Sequence, residues 1–212
     1  MKFTPASDRS LLITLGEGID VETNARVHIL SHQLQKTAGI TSLSPAYASL
    51  LVRFDPLRLT HEGLEALARA VKLDDVAAST PRIVEIEVHY NGPDLKEVAE
   101  RHGLSPEAVI DAHTSTIYHA YFAGFVPGFV YLGEVPSEIA TPRRASPRKE
   151  VPSGSVAIAG TQTGVYPRST PGGWNLIGHT DAIMFDTSKG RALVEPGDRV
   201  RFTNAQPSEP RP

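Results

Sequence analysis

Apolar residues recur along the first eighty positions with two different periods. Leu11-Leu12-Ile13-Thr14-Leu15 is a short apolar run stopped by Gly16, and Ala48 to Phe54 is a second, closed by the turn Asp55-Pro56. Both predict strands. Between them Val27, Leu30 and Leu34 fall at helical spacing. A helix is therefore predicted from an Asp20 cap to about Lys36, stopping at Gly39. Leu64, Leu67, Ala68 and Val71 then follow the i, i+3, i+4, i+7 pattern behind a Thr60 cap. Strand, helix, strand, helix in this order predicts a small sheet covered by two helices.

The pattern changes in the second part. From Arg82 to Tyr90, Val84, Ile86, Val88 and Tyr90 alternate with Ile83, Glu85, Glu87 and His89, as in a strand. Asn91-Gly92-Pro93 turns the chain, and Asp94 with Glu97 predicts a capping box on a helix ending at Gly103. Ser105-Pro106-Glu107 starts another helix, with proline in the tolerated first turn. From Ile117 onward no helical period persists. Short apolar runs (Ile117–Phe122, Val156–Ala159, Ala182–Phe185, Arg199–Phe202) are separated by Gly/Pro turns, which predicts a β-barrel or a sandwich.

Glycine and proline sharpen this division. Residues 1–80 hold four Gly and three Pro, against thirteen and fourteen in residues 81–212. The expected fold class is thus α+β: an N-terminal α/β domain over residues 1–79, then a β-barrel domain over 80–205. The boundary falls near Ala78-Ser79-Thr80-Pro81, and the polar, Pro-rich residues 206–212 are expected to be a disordered tail.

Composition excludes several functions. With 21 Lys+Arg against 24 Asp+Glu the net charge is −3, so no basic face for nucleic acid or anionic membranes is implied. The absence of cysteine rules out disulfides and thiolate metal sites. No apolar run follows Lys2 as in a signal peptide, and none approaches the ~18 residues of a membrane helix. A soluble, cytoplasmic protein is expected.

Three stretches carry candidate chemistry. Six of the fourteen aromatic residues, including Phe122, Phe125, Phe129 and Tyr131, lie between Tyr118 and Tyr131, in a run too broken by Gly124, Pro127 and Gly128 to be one strand. Exposing each large ring costs roughly 1.5–3 kcal/mol, so these rings belong in a core, in a pocket or against another protein. Pro142-Arg143-Arg144-Ala145-Ser146-Pro147-Arg148-Lys149 is a local positive field, and arginine's planar fork fits a carboxylate or phosphate. Val151 to Pro167 and Ser169 to Thr180 set Ser155, Gln162, Tyr166, Trp174 and Thr180 among glycines that let a ligand approach the backbone.

Other patterns fall short of a site. Gly173 to Thr180 has the spacing of a phosphate loop, but His179 stands where lysine is required and no helix is predicted after it. His28 and His32 share a helix face without the glutamate of a zinc-protease helix, so no metal site is expected. His113 and His119 flank the start of the barrel region, and His113 is a candidate base or orienting group because imidazole titrates near neutral pH. No Gly-x-Ser-x-Gly elbow supports Ser155 as a nucleophile.

Taken together, these residues resemble one family. The succession His113-Thr114, Phe122-x-Gly124-Phe125-x-Pro127-Gly128-Phe129-x-Tyr131-Leu132-Gly133, Pro142-Arg143, Pro147-Arg148, Val151-Pro152-x-Gly154-Ser155 through Tyr166-Pro167, and Pro171-Gly172-Gly173-Trp174-x-Leu176-Ile177-Gly178-x-Thr180 is similar to the B subunits of bacterial 5-oxoprolinase. That family is also described as allophanate hydrolase subunit 1 or the KipI-type kinase inhibitor. The resemblance spans essentially the whole chain. Two positions depart from it: His179 stands where arginine is common, and Ala123 where a bulky apolar residue is usual.

The resemblance implies a cyclophilin-like barrel and joint action with subunits A and C, which together cleave L-5-oxoproline to L-glutamate using ATP and water. ATP would be bound mainly by one of those partners. In that reading Arg143 and Arg148 hold the substrate carboxylate or a phosphoryl group, with Ser155, Trp174 and Thr180 also binding substrate. His113, Gln162 and Tyr166 would polarise the lactam or position water. Phe122, Phe125, Pro127, Phe129 and Tyr131 would meet a partner. The alternative reading is a KipI-type inhibitor docking on a sensor histidine kinase through the aromatic loop Phe125–Phe129.

Overall fold

The structure, a computed structural model, describes residues 1–73 and 81–205. The boundary expected at residues 78–80 and the tail expected at 206–212 lie outside the described residues. The chain divides into two compact units, Met1–Thr80 and Pro81–Pro212. Architecture is mostly β with four helices among the described residues.

The first unit contains β1 (Lys2–Ser7), β2 (Ser10–Thr14), α1 (Val21–Leu34), β3 (Ile40–Pro45), β4 (Ser49–Phe54) and α2 (His61–Ala70). The sheet order is β1-β2-β4-β3, antiparallel throughout. Leu11, Ile13, Leu50, Val52 and Phe54 bury one face of this sheet against Val27, Leu30, Leu34, Leu64 and Ala68 of the helices. Asp20 and Thr60 cap the helices as their spacing predicts, accepting from the Thr23 and Gly63 amides. Two strands escaped the hydrophobic pattern. β1 and β3 are the sheet edges and stay largely exposed, so neither needs a buried apolar run. Leu67, expected on the core face, is exposed.

The second unit contains β5 (Ile83–Val88), α3 (Leu95–His102), α4 (Pro106–Thr114), β6 (Ile117–Ala123), β7 (Val130–Gly133), β8 (Arg148–Val151), β9 (Ser155–Ala159), β10 (Gln162–Val165), β11 (Thr170–Gly172), β12 (Asn175–His179), β13 (Phe185–Asp186), β14 (Arg191–Ala192) and β15 (Arg199–Asn204). Seven of these strands form one sheet in the order β12-β9-β10-β7-β6-β15-β5. Beyond the end of β5, His89 exchanges both backbone hydrogen bonds with His179 of β12, at 2.8 and 2.9 Å. This bridge joins the two edges and nearly closes the sheet into a barrel. Of the predicted runs, Ala182–Phe185 forms a strand only at its end, in the two-residue β13.

Side-chain size sorts the two faces of β9. All five of its residues are buried; Val156 and Ile158 face the barrel core, while Ala157 and Ala159 face a second cluster with Phe129, Tyr166 and Trp174. Small side chains on the outer face leave room for large rings there.

The barrel core holds one titratable network. His113, at the C-terminal turn of α4, is 0% exposed, with Tyr90 Oη at 2.7 Å from Nδ1 and Thr163 Oγ1 at 2.9 Å from Nε2. Thr163 gives its own proton to the Ala157 carbonyl, so it accepts from Nε2–H, and Nδ1 accepts from the Tyr90 hydroxyl. Burial lowers the His113 pKa to about 3 and raises those of Tyr90 and Tyr118. Burial disfavours the imidazolium, and the structure places His113, a candidate base, inside the core with both nitrogens satisfied and not on an open face.

That burial makes an acid-stability prediction. An unfolded histidine protonates near pH 6.5, so between there and about pH 3 the unfolded state binds a proton that the fold refuses. Stability falls with decreasing pH across this window, by roughly 3 kcal/mol at pH 4.5. Urea unfolding at pH 7 and pH 4.5 measures it. His113→Gln should be less stable at pH 7 but lose markedly less on acidification; an unchanged acid slope would remove His113 as the cause.

Candidate functional site

A cleft of about 290 Å³ opens on the outer aromatic cluster of the second unit. Phe125, Phe129, Tyr131, Tyr166 and Trp174 line it, with Arg143, Arg144 and the Pro171-Gly172-Gly173 turn. The rings meet edge to face: Phe129 lies 5.4 Å from both Tyr166 and Trp174, and 5.1 Å from Tyr131. Such geometry holds each ring through its neighbours and keeps the wall rigid.

Three chain segments build this wall. The first is the tight turn between β6 and β7, closed by the Gly124 amide on the Phe129 carbonyl at 3.1 Å. Within it Phe125 has φ 69°, a left-handed conformation strained for a bulky residue, and the residue is 57% exposed at the cleft mouth. The second is the β11–β12 turn carrying Trp174. A Cβ on Gly172 would come within 2.4 Å of the Tyr166 hydroxyl, so only glycine lets this turn lie against that ring. The third is the basic loop before β8. It is tied down by the Arg144 amide on the Gly173 carbonyl (2.8 Å) and the Asn175 side-chain amide on the Pro142 carbonyl (2.9 Å).

The three arginines of this loop have different fates. Arg148 Nη2 and Arg144 Nη1 both donate to Asp94 Oδ1, at 2.7 and 2.8 Å, and the Leu176 amide donates to Oδ2 at 2.7 Å. Arg144 also lies 3.6 Å from Glu97. Arg143 has no carboxylate partner among the described residues; its guanidinium carbon sits 5.9 Å from the Trp174 ring. The cleft therefore presents one uncommitted fork beside an aromatic floor. The Tyr166 phenol pKa is shifted up by burial, opposed by a hydrogen bond from the Trp174 backbone.

The sequence candidates separate accordingly. Arg143, Trp174 and Tyr166 come together in the cleft with Phe125, Phe129 and Tyr131. Arg148, expected to hold substrate, is instead committed to Asp94, and Asp94, expected to cap α3, makes no side-chain cap bond. Ser155 donates to the Pro152 carbonyl, Thr180 receives the Ala182 amide, and Gln162 sits at the start of β10, opposite Gly133 and Ala159; none of the three lines the cleft. Phe122 stacks on Tyr131 at 4.5 Å behind the wall, and Pro127 is exposed on the turn. Arg144 was missed as a lining residue. The signal was present, since it stands beside Arg143 in the same Pro-bounded loop.

No group of three or more histidine or acidic side chains among the described residues could hold a metal ion. The stretch with phosphate-loop spacing is β12, whose amides serve the sheet; a triphosphate would find there no helix N-terminus and no lysine. No helix among the described residues is long and apolar enough to cross a membrane.

An α+β protein whose nearly closed barrel carries a ring-lined, arginine-edged cleft is the class that fold and site define. Residues 1–194 match the family described as "carboxyltransferase domain, subdomain C and D", and the chain belongs to that family. It is 41% identical to the 5-oxoprolinase B subunit of Bacillus subtilis, covering 92% of this chain and 89% of that protein. It is 39% identical to the 5-oxoprolinase B subunit of Escherichia coli O157:H7, covering 92% of each. The crystal structure of TTHA0988 superposes with a TM-score of 0.85 at 41% identity over 96% of this chain. This chain spans only 41% of that one, so in TTHA0988 the same fold is part of a longer polypeptide.

Proposed function

We propose that this protein is the B subunit of an ATP-dependent 5-oxoprolinase, acting with subunits A and C to convert L-5-oxoproline and water into L-glutamate. The observation that carries this reading is the match between cleft and substrate, in a chain 41% identical to a 5-oxoprolinase B subunit. 5-Oxoproline is a flat five-membered lactam with one carboxylate. Arg143 binds that carboxylate through its free fork, and Trp174 and Phe129 take the ring. Tyr166, held protonated by burial, donates to the lactam carbonyl oxygen. A resonance-stabilised amide resists water, and ATP is spent on activating it; this chain carries no phosphate loop, since the stretch with that spacing is strand β12, and nucleotide binding is assigned mainly to a partner subunit. The turn that carries the strained Phe125 and the exposed Pro127 is where a partner closes over the bound lactam.

Support for assembly comes from TTHA0988, where this fold is joined in one chain to further polypeptide. The test is reconstitution. This chain, its partners, ATP and 5-oxoproline are mixed and glutamate is measured, with each component omitted in turn. Omitting this chain is expected to abolish glutamate release; release at the full rate without it would end the proposal.

A further inference from the structure

Asp94 occupies an unusual position for a residue at a helix start. It stands immediately before α3, yet its carboxylate caps nothing in that helix. It is 3% exposed, and its bonds run to the two segments that carry the cleft. Oδ1 receives Arg144, the residue after Arg143, and also Arg148, where the same loop runs into β8. Oδ2 receives the amide of Leu176, two residues after Trp174. One carboxylate thus fixes the basic loop at two points and fastens it to the strand behind the aromatic floor. It can balance only one of two guanidiniums, and none of its oxygens reaches Arg143. The uncommitted fork is left free because its neighbours are held.

We infer that Asp94 is a positioning residue for the cleft: through Arg144, Arg148 and the Leu176 amide it sets Arg143 against Trp174 and so creates the anion site. The inference rests on reading this cleft as the substrate site. It adds a residue outside the cleft lining that governs affinity by geometry and not by contact.

Charge and geometry predict opposite signs, which makes the test sharp. Trp174 is the single tryptophan of the chain, so its fluorescence reports on the cleft alone. Iodide and caesium quench it as small anionic and cationic probes. In the native protein Arg143 favours iodide, and Arg143→Ala removes that preference. Asp94→Asn deletes a negative charge; were the loop to stay in place, iodide preference would rise. If Asp94 positions Arg143, the preference falls instead, roughly twofold or more, towards the Arg143→Ala value. A rise or no change overturns the inference.

A second arm uses 5-oxoproline itself, titrated against Trp174 fluorescence. Asp94→Asn should weaken binding roughly tenfold, and the double variant Asp94→Asn/Arg143→Ala should bind no worse than Arg143→Ala alone. Additive losses would mean that Asp94 does not act through Arg143, and would overturn the inference. Native protein that ignores 5-oxoproline would count against the proposed function only, since the iodide comparison needs no substrate. Circular dichroism checks folding; should Asp94→Asn fail to fold, Asp94→Asn/Arg148→Gln removes the pair together and carries the same comparison.

Discussion

Gly92→Ala is expected to destabilise the second unit by about 3 kcal/mol, within the upper range for overpacking. A Cβ at this position would lie 2.3 Å from the Leu176 carbonyl oxygen, 2.4 Å from the Ile177 carbonyl carbon and 2.6 Å from the Gly178 nitrogen. All three are backbone atoms of β12, so no side chain can swing away. The turn must lift, and the Gly92 amide then loses the Ile177 carbonyl and the Asp94 amide the Leu176 carbonyl. These bonds hold the start of α3 against the strand behind Trp174. Thermal unfolding should drop by roughly 6–12 °C for a chain of this size. A midpoint unchanged within a degree would show that β12 yields more easily than a hydrogen-bonded barrel strand should.

Arg143→Ala is expected to raise the KM for 5-oxoproline in the reconstituted complex by roughly 10- to 100-fold, with kcat changed less. The magnitude follows from losing a charge-assisted hydrogen-bonded pair worth about 1.5–3 kcal/mol. Stability should hardly move, because this side chain is exposed and carries no ion pair among the described residues. Arg143→Lys keeps the charge but not the planar fork, so it should recover only part of the affinity. Equal KM values for native and Arg143→Ala protein would remove Arg143 from substrate binding. The contrast with Arg148 is informative. Truncating Arg148 would leave the Asp94 carboxylate short of one partner inside the protein, so its effect should appear first as lost stability.

Much of the fold was legible because burial leaves a period in the sequence. The alternation of Val84, Ile86 and Val88 named β5, and the helical stripe of Val27, Leu30 and Leu34 named the core face of α1. The run Val156-Ala157-Ile158-Ala159 announced a strand, and the structure adds that β9 is buried on both faces. β1 and β3 left no such mark, because an edge strand satisfies half its backbone in water and needs few apolar residues. The site was legible by residue type and less so by role. Aromatic density pointed to the cleft wall, and the Pro-bounded loop pointed to its cationic rim.

Role depended on partners distant in sequence. Asp94 with Glu97 has the spacing of a capping box, and the same carboxylate is captured by arginines 50 and 54 positions away. His113 has a catalytic residue type, yet Tyr90 and Thr163 enclose it, and burial disfavours its charged form. Local sequence determined the alternation, the caps, the turns and the supply of rings and guanidiniums, because each depends on neighbours within a few residues. Which arginine stays free, which histidine is neutral and which rings line open space were decided only when the barrel brought remote segments together. Electrostatic pairing and desolvation act through space, and chain separation carries no record of them.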